Sequence, residues 1–241
     1  MPHGQRDWSN VGADEVVHGL ADMGELAARM GSPVTFNREG SILLIDTFES
    51  GHSRWELTGI APYEAKISSE WARYGAYSLK FDVAANAAKY ALMDTYFPYP
   101  VPGRYGVEFS MRINSHIGTV HMDLRFFDGK QRQKYLLYLY PIAEQLKIWD
   151  RTLGITTVVD PLPVQTAGAI WHTLKLVVDM STQYYQRIIL DGSEYDLTDY
   201  RPTVLGTDSA PYAFLRMQFN GYATGAGVVY VDDVLITQNE P

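Results

Sequence analysis

The side chains able to do chemistry are few and scattered. With no cysteine in the chain, disulfides, zinc-thiolate sites, iron–sulfur clusters and cysteine nucleophiles are excluded. His116 and His121 stand five apart with Asp123 beyond, and on a strand that odd spacing sends the two imidazoles to opposite faces, so they do not share a metal. Glu108, Asp123 and Glu144 stand alone, each without the facing carboxylate that glycoside hydrolysis needs. There is no Gly-x-Ser-x-Gly elbow, phosphate-binding glycine loop or dinucleotide fingerprint. Aromatic side chains are the remaining resource. An exposed Trp or Tyr offers a flat face to the C–H face of a sugar ring while polar neighbours direct the hydroxyls. Trp55, Trp71, Tyr74, Tyr212 and Tyr222 are the ligand-binding candidates, beside Trp149, Tyr184 and Tyr185. Trp71 leads, because Ser69, Glu70 and Arg73 surround it, whereas Trp149 and Trp171 stand in strand runs and read as core. The expectation is a protein that binds without catalysing.

The elements that would position these residues are mostly strands. Val107, Phe109, Met111 and Ile113 alternate with Glu108, Ser110 and Arg112 over Tyr105–Ile113, a half-buried strand. Leu79, Phe81 and Val83 share one face of another. Thr119–Phe127 and Lys134–Tyr140 flank Asp128-Gly129, a hairpin signal. Further strands are expected at Ser41–Phe48, Tyr63–Ser68, Gln145–Trp149, Thr156–Val159, Trp171–Asp179, Tyr184–Leu190 and Ser193–Leu197. Ala84–Ala91 reads as a helical turn or a loop, and Ala91–Phe97 is ambiguous. Ala213–Asn220 is expected to pair with the terminal strand Gly227–Thr237, and that strand with Ser41–Glu49. Many short strands between turn signals mean an all-β sandwich or barrel.

Ahead of the strands, residues 1–12 read as a polar arm. Val16, Val17, Leu20, Met23, Leu26, Ala27 and Met30 recur at spacings of three and four, which makes Asp14–Met30 an amphipathic helix stopped by Gly31 and Pro33. Its stripe either packs on the sandwich or, with Trp8 in the arm, docks on another subunit. The chain divides into an arm and helix over 1–40 and a β-domain over 41–241. A formal net charge of −8 and a pI near 5.2 argue against a phosphate-backbone binder. The polar amino terminus lacks the apolar run of a signal peptide and no window suits a membrane span, so synthesis in the cytosol is expected, with use there or release by cell lysis or a signal-independent route, as for a virion-associated protein.

Asp46-Thr47-Phe48-Glu49-Ser50-Gly51, followed by Trp55 and by Tyr74-Gly75-Ala76-Tyr77-Ser78-Leu79-Lys80, resembles the opening of jelly-roll carbohydrate-binding modules. Trp171 to Asp179, Ile189-Leu190-Asp191-Gly192 and Val231-Asp232-Asp233-Val234 are similar to the later strands of concanavalin A-like and laminin-G-like domains. The resemblance covers Ser41 to Thr237 and implies an antiparallel jelly-roll β-sandwich. It also implies a structural calcium on Glu49 and on Asp232 or Asp233, with no other cofactor. The Glu-x-Asp-x-Glu strand of lectin-like hydrolases is missing, as are the arginine-rich and Gln-x-His strands of sandwich polysaccharide lyases.

Two function classes follow. The first is a non-catalytic structural protein of virion type, a phage capsid-decoration or tail-associated subunit whose arm and helix grip other protein subunits in a homo-oligomer or capsid-like assembly. The alternative is a carbohydrate-binding module or lectin for a cell-surface or polymeric glycan. Neither expects nucleic-acid or membrane partners. On the first reading, deleting residues 1–30 abolishes self-association, seen by size-exclusion chromatography, and leaves a soluble domain with a β-type circular dichroism spectrum. A truncated chain that does not fold assigns the helix to the core instead.

Overall fold

The computed structural model describes residues 41–97, 101–166, 170–206 and 210–241. The arm and the helix expected over 14–30, with Trp8, Val16, Val17, Leu20, Met23 and Leu26, lie outside the described residues. Within them, two antiparallel sheets pack face to face. The first contains β1 (Ser41–Asp46), β3 (Tyr63–Ser68), β4 (Ser78–Val83), β6 (Arg104–Ile113), β11 (His172–Asp179), β12 (Tyr184–Leu190), β13 (Ser193–Asp196) and β16 (Gly227–Gln238), in the order β13-β12-β11-β6-β16-β4-β3 with β1 also on β16. The second contains β2 (Glu56–Ile60), β5 (Tyr90–Phe97), β7 (Ile117–Phe127), β8 (Arg132–Tyr140), β9 (Gln145–Asp150), β10 (Gly154–Val159), β14 (Thr203–Leu205) and β15 (Tyr212–Gly221), ordered β10-β9-β8-β7-β15-β5-β2 with β14 on β8.

Alternation along the strands explains the core. Val107, Phe109, Met111 and Ile113 of β6 meet Val120, Met122, Leu124 and Phe126 of β7 in one buried cluster, joined by Met217 and Phe219 of β15 and by Val229, Val231, Val234 and Ile236 of β16. Phe81 and Phe219 touch across the sheets with ring centroids 4.8 Å apart. Burying such side chains stabilises by about 1.5–3 kcal/mol each relative to exposure, so these alternating runs fix which face of each sheet points inward. The Asp128-Gly129 hairpin forms as expected: Asp128 Oδ1 accepts from Lys130 N and Gln131 N, both at 2.7 Å, and Gly129 has φ +92°, where glycine is favoured.

One expectation is corrected. Ala213–Asn220 and Gly227–Thr237 do not pair with each other: β15 lies between β5 and β7 in the second sheet, and β16 lies in the first. Adjacency in sequence misled because the short link over 222–226 crosses from one sheet to the other. Ala91–Phe97, ambiguous in the sequence, lies within a strand, and Glu56–Ile60, not assigned from the sequence, is a strand as well.

The chain's last residues are tied to the first sheet. Lys175 and Glu240, both almost wholly buried, pair at 2.8 Å, and Thr237 Oγ1 donates to Glu240. Gly106 makes the space, since a Cβ there would lie 2.7 Å from Glu240 Oε1. Breaking a buried pair by removing one partner is strongly destabilising. Glu240→Ala is therefore expected to lower unfolding stability by about 3–5 kcal/mol, read as a drop in urea midpoint; an unchanged midpoint would exclude this anchoring.

Candidate functional site

The outward face of the second sheet gathers the groups that the sequence scatters. Strand register aligns Thr58, Leu92, Gln218, His121, Tyr138, Lys147 and Thr157 in one row across β2, β5, β15, β7, β8, β9 and β10. The next row holds Glu56, Asp94, Arg216, Asp123 and Leu136, and the one after it Tyr96, Phe214, Arg125, Lys134 and Thr203. On the central strands they point outward because neighbours such as Met93, Met217, Val120, Met122, Leu124 and Leu137 are core. His121 and Gln218, absent as a motif on one strand, are thus brought side by side from two.

Ion pairs hold this face in shape. Arg216 grips Asp94 through Nε and Nη2, at 2.8 and 2.6 Å. Arg125 Nε donates to both oxygens of Asp123 at 2.9 and 3.0 Å, and Lys134 Nζ lies 3.3 Å from Oδ2 of the same acid. Both guanidinium groups lie against Phe214, at 5.1 and 5.5 Å from its ring centre. The imidazole of His121 stacks on Tyr138 at 4.6 Å and 14°. Tyr138 in turn stacks on Tyr140, over which Lys147 reaches. At the outward positions of these strands, Arg125, Arg132, Lys134, Lys147 and Arg216 outnumber Glu56, Asp94 and Asp123, five cations to three acids, in a chain of net charge −8, while Asp150 at the end of β9 is buried and bonded to Thr152 N, Leu153 N and Arg201 N.

Burial, aided by the neighbouring Lys134, Arg125 and Arg216, lowers the His121 pKa to about 4 against the pull of Asp123, so the ring is neutral at neutral pH. Its Nε2 is enclosed and makes no hydrogen bond. Burial, with Asp123 and Tyr140, pushes the Tyr138 hydroxyl up to about 12.

The residues nominated for ligand binding do not form one site. Trp55 belongs to the core: its ring is buried against Phe48 and its Nε1 donates to Asp46 Oδ2 at 2.9 Å. Tyr212 lies at the end of the basic face beside Tyr96 and Phe127. Tyr222 stands in the link between β15 and β16. Trp71 and Tyr74 are exposed together over the first sheet. Trp149, read as core, instead has its ring at the surface, facing Ile155 across the β9–β10 pair; a one-residue difference in strand phase moves a side chain to the other face.

Of the acids implied as calcium ligands, Glu49 and Asp232 bond to a loop, and the buried Asp233 carboxyl has no hydrogen-bond partner among the described residues. Along one edge, β16 pairs with β4 through Gly227–Val231 and then with β1 through Val234–Gln238. Asp232 and Asp233 occupy the gap in a bulge, Asp233 at φ +49°. Asp232 accepts from Arg73 N at 2.9 Å, and Glu49 Oε1 accepts from Ala76 N and Tyr77 N at 2.8 and 2.9 Å. Among the described residues no three His, Cys, Asp or Glu side chains are grouped to hold a metal.

No protein-family model and no curated protein sequence matches the chain. Solved structures do. An endo-β-1,4-glucuronan lyase from Trichoderma reesei superposes with a TM-score of 0.54 at 13% identity, over 82% of this chain and 96% of that one. A conserved carbohydrate esterase from the Shiga toxin-encoding bacteriophage phi24B gives 0.53 at 12% identity, over 83% and 100%. The fold is a jelly-roll β-sandwich. A xylan-binding domain from Paenibacillus barcinonensis, at 0.42 and 12% identity over 84% and 97%, is a more distant neighbour.

Burial raises Asp232 to about 7, helped by Asp233, and raises Asp233 to about 6, with Arg73 opposing and Glu108 adding to the shift. Carboxyls raised above their unfolded value of 3.8 favour the neutral form in the fold, so the stability they contribute is full below about pH 4 and is lost as pH rises through about 6 to 7. Asp233→Asn is expected to raise stability at pH 8 by about 2 kcal/mol and to change it little at pH 4. Denaturation curves at the two pH values check this, and equal shifts at both would show that Asp233 is not buried in its raised state.

Proposed function

We propose that this chain is a carbohydrate-binding jelly roll that takes a carboxylated polysaccharide along the outward face of its second sheet. The observation that carries the reading is the excess of cations on an aromatic-lined face of an acidic protein. Tyr138, Tyr140 and Trp149 supply flat surfaces for sugar rings, and Lys147, Lys134, Arg125 and Arg216 supply charge for carboxylates. The row from Thr58 to Thr157 crosses seven strands, roughly 29 Å at the usual strand spacing, a length suited to an extended polymer. Two net charges fall short of the clustered Lys and Arg that nucleic-acid backbones require.

Binding without turnover is the second part of the reading. Effective proton transfer asks for groups whose pKa lies near the working pH. His121 at about 4 and Tyr138 at about 12 lie on either side of that range, and Asp123 is occupied by Arg125 and Lys134.

Affinity electrophoresis in polygalacturonate gels tests both parts. Retardation is expected for the native chain and falls as salt screens the cations. Tyr138→Ala weakens binding about tenfold through loss of a stacking surface. Incubation with the polymer yields no unsaturated uronate absorbing in the ultraviolet. Absence of retardation overturns the binding proposal, and appearance of the unsaturated product overturns the non-catalytic one.

A further inference from the structure

The loop over residues 69–77, between β3 and β4, exposes three aromatic side chains in seven residues: Trp71 at 50%, Tyr74 at 54% and Tyr77 at 41%. Solvent exposure of that much apolar surface on a mobile loop would be unremarkable, but this loop is fixed at many points. Besides the bonds from Asp232 and Glu49, Arg73 Nη1 donates to Ser110 on β6 and Thr173 near the start of β11. Ser78 Oγ donates to Trp71 O, and Glu70 N donates to Ser68 Oγ at 3.1 Å. The inner face of Trp71 rests on the Arg112 guanidinium, 3.3 Å from its ring centre. Gly75, at φ +71°, makes the turn, and a Cβ there would strike Glu49 Oε1 at 2.4 Å.

We infer that this loop is a second carbohydrate site, on the first sheet and so on the opposite side of the sandwich from the basic face, and that it takes the apolar face of an uncharged sugar on Trp71 with Tyr74 and Tyr77 flanking it. Three half-exposed aromatics present roughly 300 Å², well short of the ~800 Å² per partner of a stable protein interface, but matched to one or two sugar rings. Most charge on this side is compensated: Lys80 pairs with Glu70 at 2.9 Å, the Arg73 guanidinium acts on Asp233, and Arg112 is covered by the Trp71 ring. A carboxylated ligand therefore finds no excess of cations, in contrast to the other sheet. A loop already held in place loses little conformational entropy on binding, so a few contacts suffice for measurable affinity.

Titration with cellohexaose, a neutral chain of flat β-linked sugars, tests the site through tryptophan fluorescence and NMR. The native chain is expected to respond, and Trp71→Ala to lose at least about tenfold in affinity while keeping its retardation in polygalacturonate. Tyr74→Ala, a change at an exposed side chain, weakens binding severalfold without altering thermal stability. Tyr138→Ala leaves cellohexaose binding intact, which separates this site from the basic face. No response to cellohexaose at millimolar concentration, an unaltered affinity in both loop variants, or loss of self-association in Trp71→Ala, which would mark a protein contact, overturns the inference.

Discussion

The structure depends on a single strand that serves three others. β16 bonds to β6 along one edge, and along the other it serves first β4 and then β1. One straight strand could not follow both partners in register. The bulge at Asp232–Asp233 absorbs the mismatch by adding a residue to β16 that its partner β6 lacks. Without the bulge, Val231 and Val234, three apart, could not both point into the core as they do. The buried acids are thus a by-product of sheet continuity, and their burial accounts for their raised pKa values.

That geometry carries through to the surface. The bulge leaves a carboxylate facing the loop over 69–77, and Glu49, just past β1, faces the same loop from the other side. Acids contributed by the two ends of the domain therefore set the position of aromatic residues in its middle. On the second sheet the control is simpler. Core side chains on β7, β8 and β15 fix the strand phase, and the intervening positions fall into rows that place His121 beside Gln218 and Tyr138.

Much of the fold was legible in the sequence. Alternation in Tyr105–Ile113, the Asp128-Gly129 turn and the pairing of Ser41–Asp46 with the terminal strand all appear in the structure, because each depends on local pattern or on a recognisable first and last strand. Partner choice was not legible for β15, since the link over 222–226 suits a hairpin as well as a crossing between sheets. The basic face was not legible either. Its residues come from separate strands, and no spacing along the chain announces a row that exists only across it. Trp149 and Trp55 exchanged roles for a related reason: composition marks an aromatic residue as valuable, and strand phase alone decides whether it is buried or displayed.

The strand that unites the first sheet also orders events in time. During synthesis β16 emerges after every strand it pairs with, so β1, β4 and β6 wait with unsatisfied edges until some 190 residues separating β1 from its partner have been made. Contacts so distant in sequence slow folding and prolong the exposure of apolar strands. A nascent chain of this design keeps apolar strand edges open to other chains until its last strand closes the sheet.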